Sequence, residues 1–173
     1  YWTDIWWISV LVDIAFLVII FLALWYFERF SFYAGLFVEK GKHEVLFGFI
    51  GLVTMLGLMV AGCWGLLGEA YKYLAVVAIM AWGPGDAMAA IIGIKFGRHK
   101  LSGKWIEGTK SVEGTVAMGV TSFICTAVTL WLLSTIAPMG IIIVSLVVAV
   151  VAAFTELFTR KGWDTVTVPI AAL

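Results

Sequence analysis

Asp86 follows Gly83-Pro84-Gly85 inside an apolar run, Tyr71 to Phe96, whose composition is otherwise that of a membrane-spanning helix. A carboxylate at that depth is expensive, and a Gly-Pro-Gly break frees backbone groups that lipid cannot satisfy. Such a combination is expected where a chain lines a polar cavity. Just downstream lies the most basic segment, with Lys95, Arg98, Lys100, Lys104 and Lys110 interleaved with Gly97, Gly103, Gly108 and Gly114. Glycines let backbone N–H groups approach an anion, and ammonium groups neutralise phosphate oxygens. Lys110-Ser111-Val112-Glu113-Gly114 then leads into the next apolar run, whose N-terminal dipole favours an anionic ligand. Asp86 and Glu113 are the acids expected to hold Mg²⁺, which takes one or two carboxylates beside substrate phosphate oxygens. The simpler alternative is a basic loop that only touches anionic lipid headgroups. The intramembrane acid behind the loop argues for a metal and a phosphate at a membrane surface.

Other chemistries lack their residues. There is no Walker A string, nucleophile elbow, Ser-His-Asp set or zinc-protease helix. Phosphoryl transfer would then rest on positioning and charge neutralisation. Cys63 and Cys125 fall in apolar runs without metal-type spacing and read as small hydrophobes. His43 and His99 fall in loops, where a solvated role is the default.

The elements that must position these residues are set by the solvent. With 63% hydrophobic residues, 13% charged and a mean hydropathy of +1.08, the chain is no water-soluble globule. Its pattern predicts an all-α polytopic transmembrane helix bundle, a single integral membrane domain over residues 1–173. Five spans are expected at Ile5–Phe27, Val45–Leu67, Tyr71–Phe96, Thr115–Ile136 and Met139–Phe158, each near the roughly 20 residues a bilayer requires. Trp2, Trp6, Trp7, Trp25, Tyr26, Trp131 and Trp163 fall near span ends, as interfacial aromatics do. Of the 11 Lys and Arg residues, all but Lys72 fall on one side of this topology. The positive-inside rule assigns that side, and the basic loop, to the cytoplasm. Gly85, Ala89, Gly93 and Gly97 recur every four residues, a small-residue stripe on which another helix can pack closely. No signal peptide with a recognisable cleavage site is present. Both ends are expected to be clipped from a longer protein, with a truncated sixth span starting near Pro169 as the alternative for the C-terminal end.

Gly85-Asp86-Ala-Met-Ala-Ala-Ile-Ile-Gly93-Ile-Lys95-Phe-Gly97-Arg-His-Lys100, followed by Gly108-Thr-Lys110-Ser-Val-Glu113-Gly114-Thr, resembles the CTP-dependent polyprenol and lipid kinases. That group includes dolichol kinase, phytol kinase and a CTP-using diacylglycerol kinase. The likeness covers about thirty residues in mid-chain, where a G-D…G…G block joins a K-S-x-E-G block. A weaker echo follows at Glu156 and at Gly162-Trp-Asp164-Thr-Val-Thr-Val-Pro169, where Thr165 stands in place of an expected Asn. An early Arg/Lys-plus-His element typical of the group is missing. More distantly, the chain is similar to CDP-diacylglycerol synthases.

The resemblance implies transfer of the γ-phosphoryl group of CTP to the hydroxyl of a membrane prenyl alcohol of the phytol, farnesol or polyprenol type. In that picture Lys95, Arg98, Lys100, Lys104, Lys110 and Ser111 bind the triphosphate, and Gly93, Gly97 and Gly114 permit close backbone approach. Asp86, Glu113 and Lys110 are the catalytic candidates, with Asp86 and Glu113 on Mg²⁺. Glu156, Asp164 and Asp13 are secondary. Glu156 could instead snorkel beside Arg160, Asp164 could cap a helix, and Asp13 could face a polar partner inside the bundle. The expected partners are CTP, a lipid alcohol whose tail lies in a groove between spans, and the bilayer, with no nucleic acid and the oligomeric state open. The alternatives are a CTP-dependent diacylglycerol kinase, a phosphatidate cytidylyltransferase releasing pyrophosphate, and a non-enzymatic transporter or assembly subunit.

Overall fold

In hydrocarbon each backbone N–H and C=O must find a partner inside the protein, so an apolar run of spanning length becomes a helix. The computed structural model describes residues 5–30, 44–101, 110–159 and 164–173. Among them five helices are long and apolar enough to cross a membrane, making the chain an all-α integral membrane protein. It divides into two compact units, Tyr1–Glu69 and Ala70–Leu173.

The first unit pairs α1 (Trp6–Phe27) with α2 (Glu44–Val60), which continues as a π-helical turn over Ala61–Leu66. Glycines set the contact. A Cβ on Gly57 would lie 2.5 Å from Asp13 Oδ2, and one on Gly65 would lie 3.0 Å from the Trp6 ring. Beyond Asp13 and Gly57, the Phe16 and Phe49 rings meet at 6.2 Å. At the end of α1 the Arg29 guanidinium sits 4.2 Å from the centre of the Trp25 ring, a cation–π contact suited to an interface anchor.

The second unit is built on α3 (Lys72–Phe96), α4 (Val112–Leu133), α5 (Pro138–Phe158) and the short α6 (Asp164–Ala171). Contrary to the expected break, α3 runs unbroken through Gly83-Pro84-Gly85. Pro84 removes one backbone donor, and polar side chains on a neighbouring helix can compensate nearby carbonyls. Here the Ser122 hydroxyl of α4 donates to the Ala81 carbonyl at 2.6 Å. Gly85 is needed for close approach: a Cβ there would stand 2.6 Å from Ser122 Oγ and 2.7 Å from Met118 Sδ.

The small-residue stripe is therefore a helix-packing face, and it sets the antiparallel register of α3 on α4. Val77 meets Leu130 and Ile141, Gly85 meets Ser122 and Met118, and Gly93 meets Gly114. The buried side of α5 repeats at helical spacing through Ile141, Ser145, Val148, Ala149, Ala152 and Glu156. Ala172, just past α6, packs with Ala81 and Val148, and the Thr159 and Thr167 hydroxyls meet at 2.9 Å.

Span ends shift for local reasons. Ser111 caps α4, so that helix starts at Val112, ahead of the expected Thr115, and Pro138 occupies the first turn of α5.

Candidate functional site

α3 ends at Phe96 with Gly97 as its cap, and the chain returns to α4 through a narrow stem. The Leu101 N–H donates to the Lys110 carbonyl at 2.9 Å and the Val112 N–H to the His99 carbonyl at 3.0 Å, an antiparallel bridge between Lys100 and Ser111. The stem closes the basic loop. Lys104 lies outside the described residues.

Ser111 is the hinge pin of this corner. Its Oγ accepts from the Gly114 N–H at 3.2 Å and it is only 3% exposed. A Cβ on Gly97 would collide with the Gly93 carbonyl and stand 2.8 Å from Ser111 Oγ. Gly93, Gly97, Ser111 and Gly114 thus crowd one crossing of helix ends.

A His–Glu hydrogen bond and a Lys–Glu ion pair brace the corner. Glu113, in the first turn of α4, takes His99 Nδ1 at 2.7 Å, and its two oxygens also lie 3.2 and 3.3 Å from the His99 backbone N–H. Lys110 reaches across to α5: Nζ stands 2.5 Å from Glu156 Oε1 and also donates to the Glu156 carbonyl. Both side chains of that pair are about nine-tenths buried, at 11% and 9% exposure. The ammonium therefore binds a carboxylate and a carbonyl near a helix C-terminus at once, where a cation is favoured. The sequence had set Glu156 beside Arg160 as the simpler reading; Arg160 lies outside the described residues, and the observed cation is Lys110.

Lys100 Nζ lies 3.5 Å from the Gly93 carbonyl at the end of α3. Lys95 and Arg98 are exposed beside it, so cations cluster at this end. The structure thus gathers Gly93, Gly97, Lys100, Lys110, Ser111, Glu113, Gly114 and Glu156 around one stem. Asp86 sits deeper. It neighbours Gly85, level with Met118, and lies seven residues before Gly93, about 10 Å along the helix. Asp13 lies in the first unit against Gly57. Asp164 opens α6, and its side chain is outside the described residues.

A Mg²⁺ ion needs few protein oxygens when phosphate is present. Among the described residues no group of three His, Cys, Asp or Glu side chains comes together. Glu113 fits a shared role, because a carboxylate offers about four acceptor positions and the His99 contacts leave capacity on Oε2. Asp86 offers a second carboxylate, deeper on α3.

A phytol kinase of Synechocystis sp. is 32% identical over 133 residues, covering 76% of this chain and 53% of that protein. A dolichol kinase of Schizosaccharomyces pombe is 35% identical over 66 residues, covering 32% of this chain and 12% of that protein. The chain is a homologue of the phytol and dolichol kinases. It spans about half the length of the first of these relatives. No family model matches it, and no solved structure does.

In this phytol and dolichol kinase homologue, two features escaped sequence reasoning. His99 read as a solvated loop residue, and its side chain is 79% exposed; the pairing with Glu113 is what the sequence did not show. Lys110 read as a phosphate clamp, and its pairing with Glu156, 46 residues away, was not part of that reading. Residue spacing carries no signal for either pairing, because both depend on how the stem docks.

Proposed function

We propose that the chain forms the membrane-embedded core of a lipid kinase that transfers the γ-phosphoryl group of CTP to the hydroxyl of a prenyl alcohol. The observation that carries this reading is the stem itself: cations and an N-terminal helix acid gathered beside a buried Lys–Glu brace, in a homologue of phytol and dolichol kinases. The cation excess on that side supports a cytoplasmic site, where nucleotides are supplied.

Lys95, Arg98, Lys100 and Lys104 would meet the triphosphate as cations, while Lys110 holds α5 against the stem. The N-terminus of α4 adds its dipole and backbone donors toward the anion. Mg²⁺, when bound, would neutralise phosphate charge, with Glu113 and Asp86 as its protein oxygens. Ser111 and the glycines fix where these groups stand. A lipid alcohol arriving from the bilayer and a nucleotide arriving from water would meet at this corner, and such proximity can supply several kcal/mol of a barrier.

The deciding assay incubates purified protein with CTP labelled at the γ position, a panel of lipid alcohols and Mg²⁺. Label in a monophosphorylated lipid is the expected result. Label in pyrophosphate makes the chain a cytidylyltransferase, and lipid transport without nucleotide consumption makes it a transporter. Repeating the assay with the other nucleoside triphosphates tests the preference for CTP.

A further inference from the structure

α4 and α5 do not close on each other along their whole length. Between them runs a groove of about 470 Å³, within the roughly 300–1,000 Å³ usual for small-molecule sites. Its floor is small: Gly119, Ala149 and Ala153. Thr115 and Leu157 line it at the loop end, and Phe123 and Leu146 at the other.

We propose that this groove holds the hydrocarbon tail of a lipid alcohol, with the hydroxyl at the Thr115 end. Polarity is the first argument. Thr115 is the one polar side chain in the lining, and its hydroxyl donates to the Ser111 carbonyl at 3.2 Å. Every other lining residue is apolar or glycine. The charged groups also gather at that same end. Glu113, Val116 and Val120 follow i, i+3, i+7 spacing, so Glu113 stands above the groove wall on one face of α4. On α5, Glu156 and its Lys110 partner adjoin Leu157. A slot that is charged at one end and apolar along its length matches a molecule with a polar head and a greasy tail.

Length is the second argument. Thr115 to Phe123 covers about 12 Å of helix and Leu146 to Leu157 about 16 Å. That is about half of the roughly 30 Å hydrocarbon thickness, the depth of one leaflet. The tail would lie along the helices in the direction that leaflet lipids already take. Val116, Val120, Leu146 and Phe154 on the walls are exposed, so entry is sideways from the bilayer. Tail beyond this depth runs into lipid, so chain length past the groove should matter little.

The head-group chemistry rests on the kinase reading, whereas the tail site does not, and the test separates them. The full chain in lipid nanodiscs is irradiated with a prenyl alcohol carrying a diazirine in its tail, with excess phytol as competitor, and labelled residues are mapped by mass spectrometry. Kinetics are read on Ala153→Leu and Gly119→Leu, with Val147→Leu as control, because Val147 is an exposed residue of α5 outside the groove lining. The expected result is phytol-competed labelling on the groove walls. The two groove variants should show the KM for phytol raised roughly tenfold or more, with the KM for CTP unchanged. Labelling elsewhere, labelling that phytol does not compete, or an unchanged phytol KM in folded groove variants overturns the proposal. Competed groove labelling in a protein that phosphorylates no lipid alcohol upholds the tail site and overturns the kinase reading.

Discussion

Replacing Glu156 by Gln strands the Lys110 ammonium where water barely reaches it. The magnitude follows from the geometry: a 2.5 Å contact between side chains only 11% and 9% exposed. Removing one partner of such a buried pair costs about 3–5 kcal/mol, because the remaining charge is left unpaired. Lys110→Met should cost a similar amount. The double variant, Lys110→Met with Glu156→Gln, removes both charges and should recover most of the loss, since a pair replaced by neutral groups of similar size is often nearly neutral. For a chain of this size the single variants should melt about 6–20 °C lower. Melting of purified protein in one fixed detergent, run as a double-mutant cycle, reads the coupling directly. Single variants that melt within about 2 °C of the parent, or a double variant that loses the sum of the singles, would refute the brace. The cycle also separates frame from chemistry. A double variant with restored melting and restored CTP kinetics makes Lys110 purely structural, whereas restored melting with a raised CTP KM makes it a phosphate contact as well.

Gly85→Ala puts a Cβ 2.6 Å from Ser122 Oγ and 2.7 Å from Met118 Sδ, so stability should fall by about 1–3 kcal/mol. Adding Met118→Ala should recover part of it, and an unchanged melt would contradict the close α3–α4 approach. Thr126 and Ser145 are fully buried, and among the described residues their hydroxyls have no hydrogen-bond partner. Thr126→Val should therefore stabilise the chain by about 1 kcal/mol, measurable as a raised melting temperature; a lower one would mean that the hydroxyl has a partner. If Asp86 and Glu113 serve Mg²⁺ and phosphate, Asp86→Asn and Glu113→Gln should each cut turnover about a hundredfold or more while lipid labelling in the groove persists. Full turnover in Asp86→Asn removes that acid from the site.

Hydropathy alone placed the spans, because a bilayer admits few ways to satisfy a backbone. The run around Pro84 shows where that logic overshoots. The Gly-Pro-Gly string suggested a broken helix, yet Ser122 donates to the carbonyl of Ala81, two residues before the string and 41 from Ser122, and the glycine gives α4 room to approach. The start of α4 was missed by three residues because Ser111, read as loop, is a cap.

Composition and local pattern were sufficient to specify helices, a small-residue packing face and a segment dense in cations, since each depends on neighbours within a few residues or on the solvent. Docking decided the rest. Which acid meets Lys110, which side chain holds Glu113, and that a greasy slot opens between α4 and α5 all follow from inter-helix register. That register is a property of surfaces brought together from distant parts of the chain, and no short stretch of residues encodes it by itself.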